Sequence, residues 1–104
     1  MPRISIIIPL YNSERFIGTT LDSVIAQTYE DWECIVVDDA STDDSASMIR
    51  RYAEADSRIR PIFHKKNGGA AVARNSALEE VRGAYVAFLD ADDYWVPQKL
   101  ELQL

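Results

Sequence analysis

The sequence predicts an α/β fold of three layers, α/β/α, with helices on both faces of a mostly parallel sheet. Three observations carry that reading. Strand-like and helical patterns alternate four times along the chain, the signature of parallel strands joined by helical crossovers. The strand-like runs are apolar and rich in β-branched residues, as strands buried on both faces are. Polar and acidic clusters follow the ends of three of those runs, at the sheet edge where open α/β sheets bind ligands.

The elements follow in order. Ile4–Pro9 is the first strand, ended by Pro9. Ser13 is placed to cap a helix whose apolar face is Ile17, Leu21, Val24 and Ile25. Trp32–Val37 is the second strand. Ser41 or Thr42 then caps a second helix, with Asp43 and Asp44 in its electropositive first turn and Met48, Ile49, Tyr52 and Ala53 on its inner face. Ile59–His64 is the third strand, and Asn67-Gly68-Gly69 a turn. Ala70–Val81 is an alanine-rich helix with Gly83 as its C-cap. Tyr85–Leu89 is the fourth strand, and Pro97 opens the last helix. That helix has no cap and no following strand, so the sequence reads as one domain, residues 1–104, cut at its C-terminus. A sheet cut in this way would expose apolar surface, and self-association through it is expected.

Bulk properties narrow the function. The chain has 104 residues, 47% of them hydrophobic, enough for one domain with a core. Its 11 basic and 17 acidic residues give a net charge of −6, which argues against nucleic acid or an anionic membrane as the main partner. The same charge means that a phosphate ligand needs a local positive group. The single cysteine, Cys34, lies in an apolar run and reads as a small core residue in a reducing, cytoplasmic setting. No run approaches the roughly 18 apolar residues of a membrane span.

The chemistry gathers beyond the strand ends: Pro9-Leu10-Tyr11-Asn12, Asp38-Asp39 and Asp90-Ala91-Asp92-Asp93. In an extended segment Asp90 and Asp92 would project to one side, about 6–7 Å apart. Like charges that close favour a shared cation, and hard oxygen donors select Mg²⁺ or Mn²⁺. A solvated acidic turn leading into a helix fits the same residues. Asp38 or Asp39 can accept from a ribose or a base edge, or simply mark a helix entry. Tyr11 can stack on a base and Asn12 bond to it, or Tyr11 can pack beside the first helix. Arg74 can reach a phosphate or a base carbonyl, or pair with Glu79 on the surface. Asn67-Gly68-Gly69 has the look of a phosphate-cradling turn or of a plain one. His64-Lys65-Lys66 reads as a solvated loop.

Four stretches in series resemble glycosyltransferase family 2, with its GT-A, Rossmann-like fold. They are Ser5–Asn12, Ile35–Asp43, Asn67-Gly68-Gly69 with Ala73-Arg74-Asn75, and Phe88–Asp93; the Trp95, Pro97 and Leu100 tail matches as well. The resemblance implies that Pro9, Tyr11 and Asn12 line a nucleoside pocket. It implies that Asp39 bonds the base, usually uracil, and that Arg74 helps hold the nucleotide. Asp90-Ala91-Asp92 looks like the family's Asp-x-Asp motif, Asp90 facing ribose or metal and Asp92 ligating Mn²⁺ or Mg²⁺ on the diphosphate. Ala40 and Ala77 stand where the family often has glycine.

The implied reaction is inverting transfer of a sugar from a nucleotide diphosphate, a UDP-sugar in most relatives, to an acceptor hydroxyl on a saccharide or lipid-linked carrier. The usual setting is bacterial surface polysaccharide synthesis, in the cytoplasm or at the inner face of the membrane. The family's general base maps to no residue here, so the chain is expected to hold the donor and metal site without that base. Two other classes share the sheet. A nucleotidylyltransferase-like enzyme should carry a glycine-rich basic loop after the first strand, and Pro9-Leu10-Tyr11-Asn12 has none. A receiver-like Mg²⁺-binding domain needs an aspartate at the end of the third strand, where His64-Lys65-Lys66 stands.

Overall fold

A computed structural model describes residues 2–103. The elements run β1 (Ile4–Leu10), α1 (Ile17–Ile25), β2 (Trp32–Asp38), α2 (Ser45–Ala55), β3 (Ile59–Phe63), α3 (Ala70–Leu78), β4 (Tyr85–Phe88) and α4 (Lys99–Gln103). The four strands form one parallel sheet in the order β3-β2-β1-β4. The chain therefore winds outward from β1 through β2 to β3, then crosses back to place β4 on the other side of β1. Because all four strands run the same way, the residues after β1, β2 and β4 share one edge, as the alternation implied.

Strand alternation divides the core. On β1, Ile4, Ile6, Ile8 and Leu10 face one side, where they pack with Cys34 and Val36 of β2, Ile17, Leu21 and Val24 of α1, and Ile49 of α2. On the other side Ile7, Ile35 and Val37 lie under Ala73 and Ala77 of α3. The registers Ile6↔Cys34 and Ile7↔Ile35 keep like faces together. The small side chains of Ala73 and Ala77 let α3 sit close on the sheet, and Ala77 is fully buried there. Cys34 is fully buried as well, and burial pushes its thiol well up, so it stays protonated and inert.

Several sequence expectations shift. Pro9 does not end β1, which runs on to Leu10. Ser13 starts the turn into α1 with its carbonyl, which accepts from Phe16 and Ile17, while its hydroxyl turns back to the Tyr11 carbonyl. Ile25 is exposed rather than part of the apolar face. Neither Ser41 nor Thr42 caps α2. Ser41 Oγ accepts from the Asn12 amide across the loops, and it is Asp43 whose carboxylate takes the Ser45 amide at 2.9 Å. The helix that starts at Ala70 stops at Leu78, because the following segment is drawn down to the sheet: Arg60 bonds the Glu80 carbonyl and Glu33 takes the Arg82 amide. Gly83 is consequently no C-cap. It rests on β1, where a Cβ would lie 2.7 Å from the Ser5 amide nitrogen, so only glycine fits that approach. The last helix begins at Lys99 rather than Pro97, whose carbonyl accepts from the Thr28 amide.

A polar clamp not foreseen from sequence fixes that C-terminal segment. Buried Gln27, just past α1, donates to the Val96 carbonyl at 2.8 Å and accepts from the Leu100 amide at 3.0 Å. Leu100 thereby reaches the core. At the opposite edge β4 leaves Tyr85, Val86 and Phe88 largely exposed. No described helix is long and apolar enough to cross a membrane.

Two non-glycine residues have positive φ: Asn12 at 48° and Ala40 at 65°. Asparagine tolerates that region, but alanine does so at a cost of about 1 kcal/mol or more. Ala40 follows β2 in the bend that leads to α2, the position where glycine was noted as the common alternative. Ala40→Gly is expected to stabilise the chain by about 0.5–1 kcal/mol, the added unfolded-state entropy offsetting part of the relieved strain. A rise of several degrees in melting temperature would show it, and an unchanged or lower value would refute the strain argument.

Candidate functional site

A cleft of about 400 Å³ opens at the carboxyl edge of the sheet, lined by Pro9, Leu10 and Tyr11 after β1, Asp39 after β2, and Asn67, Gly69, Ala70 and Ala73 at the start of α3. Its size and mostly apolar walls suit a small planar ligand with a few fixed polar contacts. Tyr11 is 48% exposed, so its ring is available at the mouth. Ala70 and Ala73 carry no side chain that could fill the space.

Asp39 is the organising group. It is only 3% exposed, and its carboxylate is held by the end of β3 and by the glycine turn before α3. Oδ1 accepts from His64 Nδ1 at 3.0 Å and from the Gly68 amide at 3.0 Å, and Oδ2 accepts from the Gly69 amide at 2.8 Å and shares the Gly68 amide at 3.2 Å. Its own carbonyl takes Asn67 Nδ2 at 3.3 Å. Burial alone would raise this carboxyl. The bonds from His64, Gly68 and Gly69, with the charge of His64, outweigh it and hold the group below the ordinary range. Gly69 adopts φ 90° with open space around its α-carbon, and that turn aims both amides at Asp39.

This decides between two open readings of the glycine turn and corrects the expectation for His64. The Gly68 and Gly69 amides are spent on Asp39, so they do not cradle a phosphate. His64 is not part of a solvated loop: it bridges Asp39 and, through Nε2 at 2.9 Å, Ser76 Oγ on α3. The available signal was position, since His64 directly follows β3 at the ligand edge of the sheet.

The remaining site residues are spread around the same edge. Asn12 does not line the cleft but ties two loops together, its Oδ1 accepting from the Thr42 amide at 2.8 Å. Arg74 follows Ala73 on α3 and is exposed, and among the described residues it has no ion-pair partner, Glu79 included. Asp90, Asp92 and Asp93 are exposed beyond β4. They do not lie in an extended segment. The Asp93 amide donates to the Asp90 carbonyl at 3.0 Å, which closes a turn. Thr20 of α1 anchors that turn from beneath, its hydroxyl 2.8 Å from the Ala91 carbonyl and 2.5 Å from that of Asp93.

The turn's donors suit a hard divalent ion in kind: solvent-facing carboxylates with room for water and a ligand's own oxygens. Among the described residues, however, no three His, Cys, Asp or Glu side chains gather closely enough to hold an ion by themselves. The arrangement fits an ion shared with a phosphate ligand, not one caged by protein alone.

Comparison with known proteins agrees with this geometry. Residues 5–104 match the model of the family described as Glycosyl transferase family 2. The chain is 48% identical over 103 residues to the putative teichuronic acid biosynthesis glycosyltransferase TuaG of Bacillus subtilis, covering 99% of this chain and 41% of that protein. It is 44% identical over 101 residues to the Escherichia coli UDP-Glc:alpha-D-GlcNAc-diphosphoundecaprenol beta-1,3-glucosyltransferase WfgD, covering 97% and 39%. The chain thus spans about two-fifths of the length of these curated relatives. Among solved structures it superposes on S. aureus TarS 1-349 in complex with UDP-GlcNAc with a TM-score of 0.91 at 34% identity, covering 97% of this chain and 30% of that one. It superposes on the mannosyltransferase PcManGT from Pyrobaculum calidifontis, in complex with GDP-Man and Mn²⁺, with a TM-score of 0.84 at 37% identity, covering 90% and 28%. With its parallel sheet, its cleft at the strand ends and a family match over nearly its whole length, the chain belongs to glycosyl transferase family 2.

Proposed function

We propose that the chain forms the donor-binding part of an inverting glycosyltransferase that uses a UDP-sugar. The observation that carries this is the ionised Asp39 carboxylate, fixed at the wall of a cleft whose mouth presents the Tyr11 ring. A carboxylate accepts hydrogen bonds and cannot donate them. It therefore suits uracil, whose N3 carries a hydrogen, and disfavours cytosine, whose N3 is an acceptor. Tyr11 offers a stacking face and Pro9 an apolar wall beside it. TarS, alike in fold over nearly the whole chain, has been solved with UDP-GlcNAc.

The diphosphate needs positive charge on a chain of net charge −6, and the Gly68 and Gly69 amides are already committed. Arg74 offers one source. Asp92, with Asp90 beside it, offers another by holding Mn²⁺ or Mg²⁺; such an ion, when bound, stabilises the negative charge that grows on the departing diphosphate. In the reaction an acceptor hydroxyl attacks the anomeric carbon as its bond to the diphosphate oxygen breaks, inverting the centre. The hydroxyl proton goes to a base that we assign to none of these residues. The 104-residue chain is accordingly expected to bind donor without turning it over. The acceptor is a saccharide or lipid-linked carrier in surface polysaccharide synthesis, and the reaction belongs to the cytoplasmic side of the membrane. WfgD, by its name, acts on a diphosphoundecaprenol-linked sugar.

Calorimetry with millimolar UDP tests the reading. Binding is expected to saturate, to tighten with Mn²⁺, and to be weaker for CDP. Asp92→Ala is expected to remove the Mn²⁺ dependence while leaving the metal-free affinity in place. Absence of UDP binding, or equal binding of CDP, would overturn the donor assignment; a metal dependence that survives Asp92→Ala would overturn the metal assignment. The open β4 edge, with Tyr85, Val86 and Phe88 exposed, makes concentration-dependent association the expected outcome of light scattering, and a clean monomer at high concentration would count against it.

A further inference from the structure

We infer that His64 is a positioning residue of the donor cleft, holding the Asp39 carboxylate in the one orientation that leaves an acceptor for the nucleobase. This role rests on the donor reading above and extends it to a side chain that does not line the cleft.

The argument is one of lone pairs. An ionised carboxylate has about four acceptor sites. Asp39 Oδ1 is occupied by His64 Nδ1 and the Gly68 amide at 3.0 Å, and Oδ2 by the Gly69 amide at 2.8 Å, with the single Gly68 hydrogen shared on to Oδ2 at 3.2 Å. Three donor hydrogens thus meet about four acceptor sites, and the remaining capacity lies on Oδ2, which His64 does not touch and which takes only the longer arm of the shared Gly68 amide. Because the carboxylate only accepts, Nδ1 carries the hydrogen of this contact. Nε2 then meets the Ser76 hydroxyl 2.9 Å away, which donates to a neutral ring and accepts from a charged one. Both ring nitrogens are thereby engaged, and the imidazole is pinned between the loop after β2 and the middle of α3. Without the ring, the Asp39 side chain keeps only its bonds to two amides of a glycine turn. It can then rotate, and its free acceptor no longer meets a ligand at a fixed angle. Loss of a base-reading acceptor should fall mainly on discrimination between nucleobases, because contacts to the diphosphate are untouched.

The test compares UDP and CDP binding by calorimetry in the 104-residue chain and in His64→Ala, His64→Asn and Ser76→Ala. The wild-type chain is expected to prefer UDP. His64→Ala is expected to weaken UDP about tenfold and to bring UDP and CDP close together. His64→Asn, whose side-chain amide can donate from near the Nδ1 position, should recover most of the preference. Ser76→Ala removes only the hydroxyl and should lower the preference about two- to threefold, which keeps the test available if His64→Ala fails to fold. Nitrogen NMR of the ligand-free chain should find a hydrogen on Nδ1. A UDP preference that survives in His64→Ala, or one that is unchanged in Ser76→Ala where that is the variant that folds, overturns the role; so does a ring whose Nδ1 carries no hydrogen. If the wild-type chain itself binds neither nucleotide, the donor reading fails first and this role with it.

Discussion

Glu33→Ala is expected to lower the melting temperature by roughly 12–24 °C, from a loss of about 3 kcal/mol in a domain of this size. Glu33 lies on β2 at the edge opposite the cleft and is only 4% exposed. Its Oε2 accepts from Ser5 Oγ at 2.6 Å and from the Arg82 amide at 2.7 Å, while Oε1 pairs with Arg60 Nη1. Ser5 Oγ in turn accepts from the Gly83 amide at 2.8 Å. One carboxylate thus joins β1, β2, β3 and the segment entering β4. Alanine would leave a buried hydroxyl, a part-buried amide and a guanidinium with 25% of its side-chain surface exposed short of their partner, and unsatisfied partners cost more than the bonds themselves contribute. Differential scanning calorimetry would measure the shift. A fall of only a few degrees would mean that water replaces the carboxylate at little cost.

The same cluster contributes to the acid limit of stability. Burial pushes the Glu33 carboxyl up, but the bonds from Ser5, Arg82 and Arg60 and the charge of Arg60 outweigh it and hold the group below its ordinary value. Asp39 and Asp43 are lowered against burial in the same way, by His64 and glycine amides for the first and by Ser45 and Glu14 for the second. For a carboxyl lowered in the folded state, the unfolded chain binds more protons between the two pKa values, so stability rises with pH there. The contribution is complete above the ordinary values of about 4 and is lost as pH falls through the folded ones. Melting temperature should therefore be nearly flat from pH 7 to about pH 5 and drop steeply below about pH 4. Glu33→Gln should melt lower at neutral pH and lose less on acidification. An equally steep acid drop in that variant would move the effect to other carboxylates.

What was legible in the sequence follows from how each property is encoded. Ile6, Ile7 and Ile8 mark β1 by side-chain type alone, and two patterns in alternation imply parallel strands. The shared edge of Asp39, Tyr11 and Asp90 then follows from topology, without any contact being known. Partners did not follow. Ser41, Thr42, Asp43 and Asp44 are all credible caps by type, and only the folded path shows Ser41 meeting Asn12 while Asp43 takes the Ser45 amide. Gly83 reads as a C-cap from one dimension, whereas its reason is Ser5, 78 positions earlier in the chain. His64 reads as part of a solvated loop because two lysines follow it, and neither lysine bears on where the end of β3 points.

Asp39→Asn is expected to weaken UDP binding by about 10- to 100-fold and to erase the preference over CDP. The two side chains have nearly the same shape, so the effect isolates hydrogen-bond polarity and charge. Three donors converge on Asp39: His64 Nδ1 and the amides of Gly68 and Gly69. Asparagine has one oxygen to offer them. With that oxygen toward the glycine turn, its NH₂ faces His64, which must take the other tautomer and give up the Ser76 hydroxyl as a donor. With the oxygen toward His64, the NH₂ opposes the Gly69 amide. Either way an acceptor at the cleft is lost or turned aside, and a hydrogen bond to a charged partner is worth about 1.5–3 kcal/mol, which spans that range of affinity. Mn²⁺ dependence should survive, since Asp90 and Asp92 lie on a separate turn anchored by Thr20. An Asn variant that binds UDP as tightly as the parent, and still excludes CDP, would remove Asp39 from base recognition and leave it a purely structural tie for the loop at the start of α3.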